Sequence, residues 1–173
     1  MLIAMAGLPG SGKSTIADEV GRVLGLAVIS VDPIESAILS AGIDADEPTG
    51  LAAYLVAEKL AESILRSGQS VIVDAVNAVD AAREQWVGLA ARRGTTLRFV
   101  EVVCSDARVH RERLEARDRR LPHIAEPQWH QVEQSLDEYG EWTGASARAE
   151  RVRVDSIEPI AHSVERTLAF LRG

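Results

Sequence analysis

A single cysteine, Cys104, rules out an internal disulfide in this 173-residue chain, and its place in an apolar run predicts a buried thiol in a reducing, cytoplasmic setting. Long hydrophobic runs are missing too: none approaches the ~20 residues that a bilayer span requires. Met1 to Ala6 is apolar, but without the basic start and small-residue cleavage site of a secretory leader, so no membrane association is expected. Positive charge is in deficit, with 19 Lys and Arg against 26 Asp and Glu, a formal net charge of −7 and a pI near 5.1. Such a surface has no general attraction for nucleic acid or anionic lipid, which makes nucleic acid an unlikely partner. Repeats and low-complexity stretches are likewise lacking, and the length suits one domain over residues 1–173.

What is present is alternation. Short runs rich in Val and Ile predict strands at Leu2 to Ala6, Ala27 to Val31, Val71 to Val73, Leu97 to Val103 and Arg151 to Val154. Helical periodicity fills the gaps at Lys13 to Leu24, Ile34 to Ala41, Leu51 to Ser67, Ala81 to Arg93, Ala107 to Arg117, Gln128 to Trp142 and Ile160 to Leu171. The helix from Leu51 is expected to bury Leu51, Leu55, Ala57, Leu60, Ile64 and Leu65. Alternating strands and helices predict an α/β fold, a parallel sheet with helices on both faces. Residues 117–128, with Pro122, Pro127 and no apolar periodicity, read as a flap.

Gly7-Leu8-Pro9-Gly10-Ser11-Gly12-Lys13-Ser14 satisfies GxxxxGK[ST] between a predicted strand and a predicted helix, the context its chemistry needs. Glycines let successive backbone N–H groups turn around phosphates, and the helix N-terminus adds its positive dipole end. ATP with Mg²⁺ is the expected ligand: Gly7, Gly10, Ser11 and Gly12 form the cradle, Lys13 reaches the β- and γ-phosphates, Ser14 holds the metal and Thr15 adds a phosphate contact.

Asp32 and Asp74 follow predicted strands, at the sheet edge where open α/β folds bind ligands. Phosphoryl transfer to a hydroxyl needs one carboxylate as base and another for Mg²⁺. Asp32 is the candidate base and Asp74 the candidate metal residue, with the opposite assignment also open. Each also reads as a helix cap or turn residue, Asp32 because Pro33 follows it. Asn77 reads either as a turn residue or as an acceptor-positioning group. Of the arginines after the fourth strand, most read as a solvated helix face, but one or more of Arg113, Arg117 and Arg120 is expected to face ATP. The loop from Asp155 to Pro159 is expected near the adenine.

Taken together, GLPGSGKST at Gly7 to Thr15, Asp32, VIVDAVN at Val71 to Asn77 and RERLEAR at Arg111 to Arg117 make the chain resemble the small P-loop kinases related to nucleoside monophosphate kinases. It is most similar to the branch of polynucleotide kinase, chloramphenicol phosphotransferase and zeta toxin. The resemblance implies a three-layer P-loop NTPase fold with a five-stranded parallel sheet and an Arg-rich lid at about 113–128. It also implies Asp32 as base, Arg113 and Arg117 on phosphates, and adenine beside Asp155 and Pro159.

The acceptor is expected between helices at about 33–66. From Asp32 to Leu65 there are seven acids, one lysine and no arginine, whereas an anionic acceptor calls for arginine. A small neutral or cationic hydroxyl compound fits better. The alternatives are an ATPase switch acting through a protein partner, or a polynucleotide or nucleotide kinase. No Asn-Lys-x-Asp run is present to read guanine. A module that holds nucleotide without turnover ranks last because Asp32 is in place.

Overall fold

The computed structural model describes residues 1–139 and 141–173, and of Asp137 and Glu138 the backbone only. Five parallel strands form one sheet in the order β2-β3-β1-β4-β5: β1 (Leu2–Ala6), β2 (Ala27–Ser30), β3 (Val71–Asp74), β4 (Leu97–Val103) and β5 (Glu150–Asp155). The apolar run of β1 follows from its position, because pairing with β3 and β4 and helices on both faces leave none of its side chains exposed.

One face is covered by α1 (Lys13–Leu24) and α7 (Ile160–Arg172), joined to the sheet through Ile3, Met5, Ile16, Val20, Val100 and Leu171. The other carries α3 (Thr49–Arg66) and α4 (Asp80–Arg93), centred on Trp86, Leu89 and Phe99. Two helices flank the carboxyl edge of the sheet: α2 (Val31–Ser40) follows β2, and α5 (Ala107–Glu115) follows β4. A non-helical segment then leads to α6 (Trp129–Glu138) and a short 3₁₀ turn at Ser146–Arg148. Leu8, Leu114 and Val132 form a small separate core that seats α5 and α6 against the loop after β1.

Four expectations are revised. The second strand ends at Ser30, and α2 starts at Val31, so Asp32 lies in the first helical turn and is not its cap. In α3 the buried face is Ala53, Ala57 and Ala61, while Leu51, Leu55 and Leu60 are exposed. Small residues let the helix approach the sheet closely, and apolar residues around most of its circumference hide which arc faces inward. The last turns expected up to Trp142 are absent: Tyr139 leaves the α-region with ψ 85°, and Gly140 of that expected helix lies outside the described residues. Cys104 is half-buried rather than enclosed, because it stands one residue past β4, where the packed sheet gives way to the cleft.

Candidate functional site

Chain direction puts the ends of β1, β2 and β3 side by side, and the loop Gly7–Thr15 lies among them. Its glycines have reasons. Gly7, at φ 147°, would place a Cβ 2.3 Å from the Val102 carbonyl oxygen, and Gly10, at φ 82°, would set one 3.1 Å from the His110 ring. Gly12 at φ 88° turns the chain into α1, whose N-terminus has no side-chain cap, leaving its first N–H groups for an anion. The loop is braced: Gly7 N–H donates to the Val76 carbonyl at 2.9 Å, and the Pro9 carbonyl accepts from buried His110 Nε2 at 2.8 Å. Gly7→Ala is expected to distort the loop and cost about 1–3 kcal/mol, measured as a lower melting midpoint together with loss of nucleotide binding.

Lys13 and Asp74 meet in the interior, with Nζ 3.7 Å from Oδ1 and side chains 4% and 6% exposed. Ser30 Oγ donates to Asp74 Oδ2 at 3.3 Å, whereas Oδ1 accepts no hydrogen bond. A buried carboxylate oxygen without a hydrogen bond, beside Lys13 and so near Ser14 at the start of α1, fits Mg²⁺, which takes few protein ligands and completes its shell with phosphate and water. Among the described residues, no cluster of three or more His, Cys, Asp or Glu offers a dedicated metal cage.

Two arginines border this loop. A cleft of about 210 Å³ is lined by Gly10, Gly12, Lys13, Ser14, Thr15, Arg113 and Arg117, with Leu8. Arg113 is held in place by Ser156, donating to its hydroxyl at 2.8 Å and its carbonyl at 2.9 Å. Arg117 lies 4.0 Å from Asp32 Oδ2 and 3.7 Å from Glu126 Oε2, and its buried NH1 makes no hydrogen bond. Burial, reinforced by neighbouring Arg119, lowers its pKa from the ordinary guanidinium value. Arg120 points away, paired with Asp118 at 86% exposure.

Arg119, which no periodicity singled out, bridges two carboxylates. It donates through NH1 to Asp32 Oδ2 and through Nε to Glu126 Oε1, the second at 2.9 Å. Burial works against its charge, but Glu126 and Asp32 outweigh it and raise its pKa. Burial likewise opposes ionisation of Glu126, while Arg119 and Arg117 hold its carboxyl below the usual range. Arg119 and Glu126 escaped detection because they sit in a segment without secondary structure. His110 and Ser156 likewise stand out only once tertiary contacts are known.

Other expected residues have different surroundings. Asp155 accepts from the N–H groups of Ser105 and Ile157 at 3.1 and 3.2 Å; burial opposes its charge, but these bonds hold its pKa low. The cleft beyond Gly12 and Thr15, about 250 Å³, is lined by Ser156, Glu158, Ile160 and Ser163 rather than by Asp155 and Pro159. Asn77, in the left-handed region at φ 48°, donates to Met5 O and accepts from Trp86 Nε1. Its side chain is committed to joining β1 and α4. Of the arginines elsewhere, Arg83 is fully buried, Arg92 pairs with Glu58 and Arg98 with Glu150.

The family described as AAA domain matches residues 2–141. An uncharacterised protein of Mycobacterium tuberculosis is 37% identical over 84 residues, covering 42% of this chain. The chain spans 17% of the length of that relative. A sugar kinase from a Janibacter species superimposes with a TM-score of 0.73 at 19% identity, over 99% of this chain and 94% of that one. Chaetomium thermophilum Kti12, solved with ADP-AlF3, superimposes with a TM-score of 0.70 at 19% identity over the whole of both chains. At these identities the likeness is one of fold: the three-layer α/β architecture of the P-loop kinases.

Proposed function

The chain belongs to the AAA-domain family, and from that premise we propose that it is an ATP-dependent phosphotransferase that moves the γ-phosphoryl group of ATP to a hydroxyl of a small neutral or cationic molecule. The observation that carries this reading is the convergence at one sheet edge of buried Lys13 and Asp74 with Asp32 and Arg117. Phosphoryl transfer is mainly positioning and charge stabilisation, and this set supplies both. Lys13 binds the β- and γ-phosphates, and Arg113 and Arg117 flank them. Ser14 and Asp74 would hold Mg²⁺, which would neutralise phosphate charge.

Asp32 is the base. Both nearby arginines address its Oδ2, which leaves Oδ1 for the acceptor hydroxyl. The hydroxyl oxygen bonds to the γ-phosphorus, the bond to the bridging oxygen breaks, ADP leaves, and the hydroxyl proton passes to Asp32. Asp32→Asn is expected to lower turnover by roughly 10²- to 10⁴-fold with nucleotide affinity largely kept, as measured by steady-state kinetics beside calorimetry. Unchanged turnover would remove the base assignment.

Charge balance supports the acceptor class. With Arg117 on the phosphates, Arg119 is the remaining cation beside Asp32, and it is already shared between Asp32 and Glu126, which suits a neutral or cationic acceptor better than an anionic one. A cytoplasmic setting suits the lone thiol. A second reading, an ATPase switch, is favoured by one feature: α3 exposes Leu51, Leu55, Val56 and Leu60, a face suited to a protein partner. Phosphorus NMR on Mg²⁺·ATP with pooled neutral and cationic hydroxyl compounds, and in parallel with nucleoside monophosphates and oligonucleotide ends, separates the readings. A new phosphoester from the first pool alone is expected. Transfer to the second pool would overturn the acceptor class, and phosphate release alone would favour the switch.

A further inference from the structure

The two half-buried arginines of the 116–128 segment differ in how their donors are used. Arg117 lines the phosphate cleft and keeps NH1 without a hydrogen bond. Arg119 has its Nε on Glu126 and its NH1 on Asp32, and its backbone N–H also points to Glu126 at 3.4 Å. One guanidinium therefore spans two carboxylates, one on α2 and one in the 116–128 segment. A second tie runs parallel to it: Ser36 Oγ, one turn along α2 from Asp32, donates to the Pro122 carbonyl at 2.7 Å. Around Asp32 the charged neighbours are Arg117, Arg119 and, through them, Glu126.

From this division we infer that Arg119 is a positioning residue: it clasps the lid segment to α2 through Asp32 and turns the Asp32 carboxylate so that Oδ1 faces the acceptor, while Arg117 alone of the pair binds phosphate. This rests on the phosphotransferase reading above, in which Asp32 is the base. A planar fork with several fixed donors suits such a bridge, because it holds two carboxylates at set angles where an ammonium would hold one. Occupying Oδ2 fixes the rotation of the carboxylate, so the clasp couples closure of the lid to alignment of the base.

Hydrogen exchange and nucleotide calorimetry on the full chain test this without knowledge of the acceptor. In Arg119→Gln, amides of residues 116–128 are expected to exchange about tenfold faster, with those of β1 and β3 unchanged. Affinity for a non-hydrolysable ATP analogue with Mg²⁺ should stay within about twofold of the unaltered protein. Arg117→Gln should do the reverse, weakening that analogue about tenfold relative to ADP with lid exchange little altered. Asp32→Asn should accelerate the same lid amides, and adding it to Arg119→Gln should accelerate them no further. Unchanged lid exchange in Arg119→Gln overturns the clasp, and so does acceleration spread equally over β1 and β3. A loss of analogue affinity matching that of Arg117→Gln would make Arg119 a phosphate ligand instead. If the unaltered protein binds no nucleotide, the phosphotransferase reading fails, whereas the exchange experiment still decides whether Arg119 holds the lid.

Discussion

Replacing Lys13 by alanine is expected to abolish phosphoryl transfer, a fall of at least ~10³-fold, and to lower stability as well. Among the described residues, no neighbouring cation is placed to substitute for it. Arg113 is fastened to Ser156, and Arg117 approaches from the other side between Asp32 and Glu126, while Lys13 reaches the cleft from the first residue of α1. Its loss also leaves Asp74 buried, 6% exposed, without its counter-charge. Breaking a buried ion pair from one side costs roughly 3 kcal/mol, because the remaining charge is neither solvated nor paired. Two effects thus overlap in one variant, and Lys13→Ala combined with Asp74→Asn separates them. The double variant should recover much of the lost melting midpoint but none of the turnover. Full recovery of turnover would show that Lys13 acts only by neutralising Asp74 and that Asp74 holds no metal, and a melting midpoint unchanged in the single variant would mean that the pair contributes no net stability.

The elements at the sheet edge were legible because each is specified locally. Five short Val- and Ile-rich runs became five strands in the expected places, and a glycine-rich turn followed by Lys13 and Ser14 fell between β1 and α1, as its chemistry demands. The place of Asp74 was legible for the same reason, since it stands where a buried strand ends. The α3 face was not, since periodicity records which residues are apolar but not that alanines at 53, 57 and 61 permit the closer approach. The clasp was still further from view. Asp32 and Arg119 are 87 residues apart, and the segment that carries Arg119 and Glu126 has no period to read. The arginines from 113 to 120 looked alike in sequence, yet Arg113 braces the loop after β5, Arg117 borders the cleft at Gly10 to Thr15, Arg119 bridges two acids and Arg120 is solvated. Chain topology decides among them, and local pattern does not contain it.

Arg83→Leu should produce the largest loss of stability among the charged side chains, about 3–5 kcal/mol. Arg83 is fully buried, and its donors reach the carbonyls of Asn77 at 2.9 Å, Ala78 at 2.6 Å and Glu141 at 3.4 Å, together with Asp80 Oδ1 at 3.1 Å. Its guanidinium also stacks 4.3 Å from the centre of the Trp142 ring. Leucine restores volume but no donors, so carbonyls in the turn after β3 lose partners that water cannot replace, and each such group is costly to leave unpaired. At a few degrees per kcal/mol for a chain of this size, the melting midpoint should fall by roughly 10 °C. The effect should spread to the phosphate site, because this turn presents the Val76 carbonyl that receives the Gly7 N–H and the Asn77 side chain that holds Met5. Nucleotide affinity should therefore weaken even though Arg83 lies outside the cleft. Arg83→Lys, with one charge but no planar fork, should recover only a minor part of the loss. A melting midpoint for Arg83→Leu close to that of the unaltered protein would show that the turn keeps its shape through Asn77 and Trp86 alone, and that the buried guanidinium is dispensable to the site it underlies.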